Sequence, residues 1–209
     1  TVRKQKKKIN FEILENIRIE EMVAEGKCLA RHENMVIFVG GVAPGDVVDL
    51  RITRKKKSFM EAEAVNFHAY SDVRVQPFCE HFGTCGGCKW QHIGYDTQLY
   101  YKQKQVQDNL ERIGKVPLPD FDPILGSAKD KFYRNKLEFT FSNYGWLTNE
   151  QIKSGAEHER RALGFHMPGR FDKILDIQNC YLQPEPSNSI RLAVRDYARA
   201  NNLVFFDKL

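Results

Sequence analysis

Cys79, Cys85 and Cys88 constrain this chain more than any other feature. They lie in Pro77-Phe78-Cys79-Glu80-His81-Phe82-Gly83-Thr84-Cys85-Gly86-Gly87-Cys88, three thiols within ten residues with two glycines bending the loop between the last pair. Such a loop can turn its sulfurs toward one centre, and a metal or metal cluster is the natural occupant. Five cysteines form an odd set, and no apolar signal follows the basic start. A reducing setting is therefore expected, with metal ligation favoured over disulfides. The local C-x5-C-x2-C pattern supplies three ligands, whereas a structural zinc site or a cubane iron–sulfur cluster takes four. Cys180, in Asn179-Cys180-Tyr181-Leu182-Gln183-Pro184, is the stronger candidate for the fourth. Cys28 falls in an N-terminal strand and reads as a small buried side chain. His81 or His92 could complete a zinc site instead. The spacing points to a metal without saying which.

Charge is unevenly distributed. Residues 1–60 hold 13 Lys/Arg against 8 Asp/Glu, while residues 61–209 hold 19 of each. A basic module beside a neutral one points to an anionic partner, most often nucleic acid. No apolar run reaches the roughly 20 residues that span a bilayer, so no membrane partner is expected and the expected location is cytoplasmic. The start at Thr1 rather than Met suggests a processed or trimmed chain.

Residues 9–67 read as about five short strands. Ile9, Phe11 and Ile13 alternate with polar residues, as do Ile17 and Ile19; further apolar segments occupy Lys27 to Val39, Val47 to Ile52 and Glu61 to Val65. Turn signals fall at Gly40-Gly41 and Pro44-Gly45-Asp46. Short strands without a helical stripe predict a small closed barrel of the OB type. Arg51, Arg54, Lys55, Lys56 and Lys57 cluster at one strand end, where they can track a phosphate backbone; an exposed charged hairpin is the plainer alternative. Tyr95, Leu99, Val106, Leu110 and Ile113 predict a helix with one apolar stripe, stopped by Gly114 and Pro117. Residues 117–180 read as a second β-rich unit. Residues 187–203 read as a helix with Ile190, Val194, Tyr197 and Ala198 on one side and Arg191, Arg195 and Arg199 on another. Leu203 to Leu209 reads as a strand cut short.

Together these predict an α+β chain: a five-stranded OB-like β-barrel, then a β-rich central domain carrying the cysteine loop and flanking helices. The expected division is 1–68 for the barrel, 69–94 and 115–209 for the central domain, and 95–114 for the helix.

The chain resembles the cluster-containing RNA uracil-5-methyltransferases, the ribosomal-RNA branch. The resemblance rests on Phe78-Cys79 through Cys88 followed by Trp90-Gln91-His92, on Tyr133-Arg134-Asn135-Lys136, and on Gly164-Phe165-His166 leading to Asp176-Ile177-Gln178-Asn179-Cys180. The order also fits, with a basic TRAM barrel first. The resemblance implies a [4Fe–4S] cluster on Cys79, Cys85, Cys88 and Cys180. It implies RNA as partner, 23S rRNA in particular, and a monomer. On the central domain it turns attention to Tyr133 as a stacking residue and to Arg134 and Lys136 as phosphate contacts; an alternating strand with exposed cations is the plainer reading of those three. Trp90 could shield the cluster from water.

The family's catalytic part is not visible here. No G-x-G-x-x-G follows a strand and no Asp-Pro-Pro occurs, so catalytic residues are expected to be none. S-adenosylmethionine is then a cofactor of the full-length enzyme only, and the helix at 95–114 is expected to pack on the absent domain. The family's mechanism adds a cysteine thiolate to C6 of uracil and methylates C5, which needs no electron transfer. The cluster is therefore expected to be structural, stapling two distant segments. A non-enzymatic nucleic-acid-binding module with a structural zinc is the alternative. A radical S-adenosylmethionine methylthiotransferase ranks last, because its C-x3-C-x2-C motif is missing and its barrel normally follows the catalytic domain.

Overall fold

A computed structural model of the chain describes residues 12–206. The expected strand residues Ile9 and Phe11, and the lysine arm before them, lie outside the described residues. The chain forms two compact units. One takes the chain up to Val75 and then His92–Ile124; the other takes Gln76–Gln91 and the chain from Leu125 onward. The helix expected as a separate element therefore groups with the barrel, and the cysteine loop groups with the distant Cys180 segment.

In the first unit, six strands make one curled sheet, a half-barrel. They are β1 (Ile13–Arg18), β2 (Glu21–Met22), β3 (Lys27–His32), β4 (Met35–Gly40), β5 (Val47–Lys55) and β6 (Phe59–Ala69), in the order β1-β5-β6-β4-β3-β2. Alternation decides which side faces inward: Val48, Leu50 and Ile52 of β5, with Ile37 and Val39 of β4, are buried, and their neighbours point outward. Each fully buried Val, Leu or Ile contributes about 1.5–3 kcal/mol.

The expectation of a closed five-stranded barrel is corrected in two respects. The segment Lys27 to Val39 is a hairpin, because Glu33 and Asn34 both take left-handed backbone (φ 46° and 65°) and make the two-residue turn between β3 and β4. The sheet also has two edges, β1 and β2, and its β4–β6 pair is parallel.

Asp46 fastens the chain leaving this sheet. Its carboxylate is 0% exposed and accepts from the Ala43 amide at 2.6 Å, the Ser71 amide at 3.0 Å, and Arg74 Nε and Nη2 at 2.9 and 2.6 Å. Burial raises the Asp46 carboxyl. The hydrogen bond from Arg74, the two backbone donors and the Arg74 charge more than reverse that, holding it below the usual carboxylate range. Arg74 also lies over the rings of Phe67 and Tyr70, 5.2 and 5.3 Å from their centres. Helix α1 (Tyr95–Asp108) follows and runs on as a π-helical turn, Asn109–Gly114. Lys104 joins it to β2 through Glu21 at 3.1 Å. None of its residues is buried, and Val106, Leu110 and Ile113 are exposed.

The second unit holds a three-stranded antiparallel sheet, β7 (Thr140–Ser142), β8 (Ala162–Met167) and β9 (Arg170–Asp176), in that order. Gly164 permits the β8–β9 contact, since a Cβ there would run into the Leu175 carbonyl. A short helix, α2 (Asn149–Ser154), starts with a capping box between Thr148 and Gln151. The third helix, α3 (Ser187–Ala200), reverses the simplest reading of its pattern. Arg191 and Arg195 are buried, whereas Ile190, Val194 and Tyr197 are exposed. The arginines face inward because Asp176 and open backbone carbonyls of the preceding segment are there to receive them: Arg195 meets Asp176 at 3.0 Å and Arg199 meets it at 3.2 Å. The expected strand after Leu203 is absent among the described residues. Phe205 is instead buried edge-on against Phe141, with ring centres 4.8 Å apart.

Candidate metal centre and basic surfaces

The second unit brings together four of the five cysteines. Cys79, Cys85, Cys88 and Cys180 line one pocket, with Phe165, Ile177 and Leu182 as apolar wall. Ile177, Cys180 and Leu182 form a buried cluster, and Cys85, Cys88, Leu137, Phe165 and Leu175 pack on it. Trp90, expected as a shield, is not part of the wall.

The loop reaches this place through tight turns. The Phe82 amide donates to the Cys79 carbonyl at 3.0 Å, and the Cys85 amide donates to the His81 carbonyl at 2.8 Å. Gly86 is needed where the loop passes the β8–β9 hairpin, because a Cβ there would lie 2.6 Å from the His166 carbonyl oxygen. The Cys180 segment is held from two directions. The Gln178 amide donates to His81 Nε2 at 3.1 Å, and Asn179 Nδ2 donates to Glu80 Oε1 at 3.3 Å. From α3, Asn188 Oδ1 accepts from the Cys180 amide at 2.9 Å while its Nδ2 donates to the Cys180 carbonyl at 3.2 Å.

The donor set suits a thiolate-ligated group. The Gly87 amide donates to Cys85 Sγ at 3.3 Å. Such N–H···S contacts stabilise thiolates around an iron–sulfur core. Burial pushes the Cys85 thiol up to about 11 and raises those of Cys79 and Cys180, and the neighbouring sulfurs add to the effect. A bound cationic centre would favour the ionised form of these three thiols.

Among the described residues, no group of three or more His, Cys, Asp or Glu closes on a point where a single ion would sit. The four cysteines share one cavity lining. His81 lines that space, but its Nε2 is the acceptor for the Gln178 amide. His92 belongs to the first unit, where its Nε2 donates to the Val42 carbonyl at 3.1 Å. Cys28 is buried there too, with Sγ 3.2 Å from the Val42 carbonyl and its thiol pushed up to about 12 by burial.

The cations singled out from the sequence fall into two sets, one in each unit. Arg51, Arg54 and Lys55 lie on β5, and Lys56 and Lys57 lie in the turn before β6. Arg51 meets Glu63 at 2.6 Å, Lys55 meets Glu12 at 3.1 Å, and Arg54 approaches Glu61 at 3.8 Å. Exposed pairs of this kind contribute about 0–1 kcal/mol, so a phosphate can displace them. Lys56 lies 5.8 Å from the centre of the Phe59 ring. In the second unit, Tyr133, Arg134 and Lys136 sit on a segment outside any regular strand. The Arg134 amide donates to the Leu182 carbonyl at 2.8 Å, which lays this segment along the chain just after Cys180. Tyr133 is 54% exposed, and Lys136 pairs with Glu138 at 3.2 Å. A neighbouring stack was not foreseen: Lys131 lies over Phe78, 4.4 Å from the ring centre, and Phe78 packs on Tyr181 at 5.5 Å. The α3 residues behind Cys180 were also missed, because nothing local marks them.

Residues 15–65 match the TRAM domain family. The chain is 58% identical over 187 residues to an uncharacterized RNA methyltransferase of Bacteroides thetaiotaomicron, covering 89% of this chain and 41% of that protein. It is 44% identical over 127 residues to the 23S rRNA (uracil(1939)-C(5))-methyltransferase RlmD of Acidithiobacillus ferrooxidans, covering 60% of this chain and 28% of that one. Among solved structures it is similar to the Pyrococcus abyssi tRNA (uracil-54, C5)-methyltransferase in complex with S-adenosyl-L-homocysteine. That likeness has a TM-score of 0.54 and 21% identity over 91% of this chain and 38% of the other, and it is one of fold. The chain spans 41% and 42% of the two relatives from Bacteroides thetaiotaomicron and Porphyromonas gingivalis. Its N-terminal part is a TRAM domain, and most of its length is similar to RNA methyltransferases.

Proposed function

We propose that this chain is the RNA-recognition part of a longer S-adenosylmethionine-dependent methyltransferase that forms 5-methyluridine in 23S rRNA. The observation that carries this reading is a TRAM domain joined to a unit in which four cysteines from two distant segments line one cavity. The RNA methyltransferase relatives support the reaction class, and the RlmD relative supports ribosomal RNA as substrate.

The cavity suits a [4Fe–4S] cluster held by Cys79, Cys85, Cys88 and Cys180. Such a cluster takes four thiolates, and four cysteines line this cavity with Phe165, Ile177 and Leu182. When bound, the cluster would cross-link the loop at 79–88 to the segment at 180. The protein's own residues do the recognition. The β5–β6 cations neutralise phosphates. Tyr133, Arg134 and Lys136 offer a stacking face and two charges to an unpaired RNA segment whose target base is flipped out. The proposed setting is cytoplasmic, and no helix among the described residues is long and apolar enough to cross a membrane.

The test is methyl transfer by the full-length protein, isolated without oxygen, onto 23S rRNA lacking the modification. Mass spectrometry of nucleosides should show 5-methyluridine, and the protein should carry iron and sulfide. A colourless zinc protein that binds RNA without methylating it would establish the non-enzymatic alternative.

A further inference from the structure

Helix α3 turns three arginines inward, and one of them meets no anion. Arg191 is 4% exposed. Its guanidinium donates to the Ile177 carbonyl, to the Gln178 carbonyl at 2.7 Å and to Asn188 Oδ1 at 3.3 Å. It lies over Phe139, 5.2 Å from the ring centre, and its Nε has no acceptor. No carboxylate pairs with it among the described residues, since Asp176 is shared by Arg195 and Arg199. Burial lowers its pKa and the charge of Arg195 lowers it further, more than the more distant charges of Cys180, Asp176 and Glu185 raise it. A buried cation without a counter-charge costs several kcal/mol, only part of which these hydrogen bonds offset.

The anion's place follows from the contacts. Asn188, which accepts from Arg191, also holds the Cys180 backbone by its amide and carbonyl. Phe139 under the guanidinium packs on Phe165 at 4.8 Å, and Phe165 is cavity wall. Arg191 therefore stands behind the fourth sulfur, in the layer that shapes the cavity. Four thiolates around a cubane leave a net negative charge, which grows by one when the group takes up an electron.

We propose that Arg191 is the resident counter-cation of the sulfur site, a positioning residue that balances an anionic thiolate-ligated group through the Asn188 seat of Cys180. This rests on the cluster reading of the cavity. It also gives the inward arginine row a purpose beyond holding α3 in place.

The test uses the full-length protein, reconstituted without oxygen with iron and sulfide, as wild type, Arg191→Gln, Arg191→Lys and Asn188→Asp. Asn188→Asp places a carboxylate on Arg191 but also gives up the Nδ2 donor to the Cys180 carbonyl, so it counts only alongside a shift of the same sign in Arg191→Gln. Each protein is titrated with dithionite and mediators and followed by visible absorption and electron paramagnetic resonance. Removing or cancelling the cation should lower the reduced-to-oxidised ratio at fixed poise about tenfold, a downward shift of about 59 mV for one electron. Arg191→Lys should stay at the wild-type value. If dithionite does not reduce the wild type, iron release to a chelator is read instead: faster for Gln and Asp, unchanged for Lys. If Arg191→Gln does not fold, Arg191→Met, which removes the charge and keeps an apolar side chain over Phe139, decides. Loaded variants that differ only in melting temperature would overturn the role of Arg191 and leave the cluster standing. A wild type that takes up no iron and sulfide would overturn both.

Discussion

Replacing Arg74 by Met tests what holds the end of the TRAM sheet. Asp46 is 0% exposed and receives two backbone amides as well as the Arg74 fork, whereas the Arg74 side chain is 19% exposed. The two partners are therefore unequal. Without Arg74 the carboxylate stays buried with only the amides of Ala43 and Ser71, and stranding a buried charge costs about 3–5 kcal/mol. That is a large share of the 5–15 kcal/mol typical of a domain.

The pH dependence carries the same logic. In the wild type the Asp46 pKa lies below its unfolded value, so its contribution is present above about pH 4 and is lost as pH falls through the depressed folded pKa. Without Arg74, its hydrogen bond and charge no longer oppose burial, so the folded pKa rises. The variant should lose stability at a higher pH than the wild type. Both tryptophans, Trp90 and Trp146, lie in the other unit. The transition is therefore best read by hydrogen exchange at the Ala43 and Ser71 amides alongside far-ultraviolet circular dichroism. A loss under 1 kcal/mol with an unchanged acid midpoint would refute the reasoning.

Three further outcomes are expected. Gly164→Ala forces a Cβ into the Leu175 carbonyl, so the β8–β9 ladder should part, with a loss of at least about 3 kcal/mol in urea unfolding. Gly86→Ala places a Cβ 2.6 Å from the His166 carbonyl oxygen and should push the cysteine loop off the hairpin; about 1–3 kcal/mol of stability and part of the iron content should be lost, by melting and metal analysis. Changing Lys55, Lys56 and Lys57 together to Ala should weaken RNA binding and flatten its salt dependence by about 2 in log–log slope, if each meets one phosphate of a single strand; an unchanged slope would place the RNA elsewhere.

The parts legible in the sequence were those set by local rules. Alternation in Val47 to Ile52 announced β5, and the thiol spacing with Cys180 announced the set that lines the cavity. The β3–β4 turn was hidden because Glu33 is not a residue that ordinarily marks left-handed backbone, although Asn34 is. Helix α3 misleads because hydropathy ranks isoleucine above arginine for burial. Here the inward surface offers carbonyls of Ile177 and Gln178 and the Asp176 carboxylate, and only tertiary structure reveals them. Asn188 and Arg191 were invisible for the same reason: their work is done on a segment eight to fourteen residues back.

The two strands of sequence that share the sulfur cavity are also separated in time. Cys180 lies ninety-two residues beyond Cys88, and a ribosome adding about 5–20 residues per second needs roughly 5–18 s to reach it. For that interval three thiols leave the ribosome with no fourth partner, and the first unit is itself interrupted until the chain passes Ile124. A nascent chain of this design is most open to oxidation or a stray metal before its second half exists. On the proposed cluster reading, loading would follow the moment when α3 has packed behind Cys180.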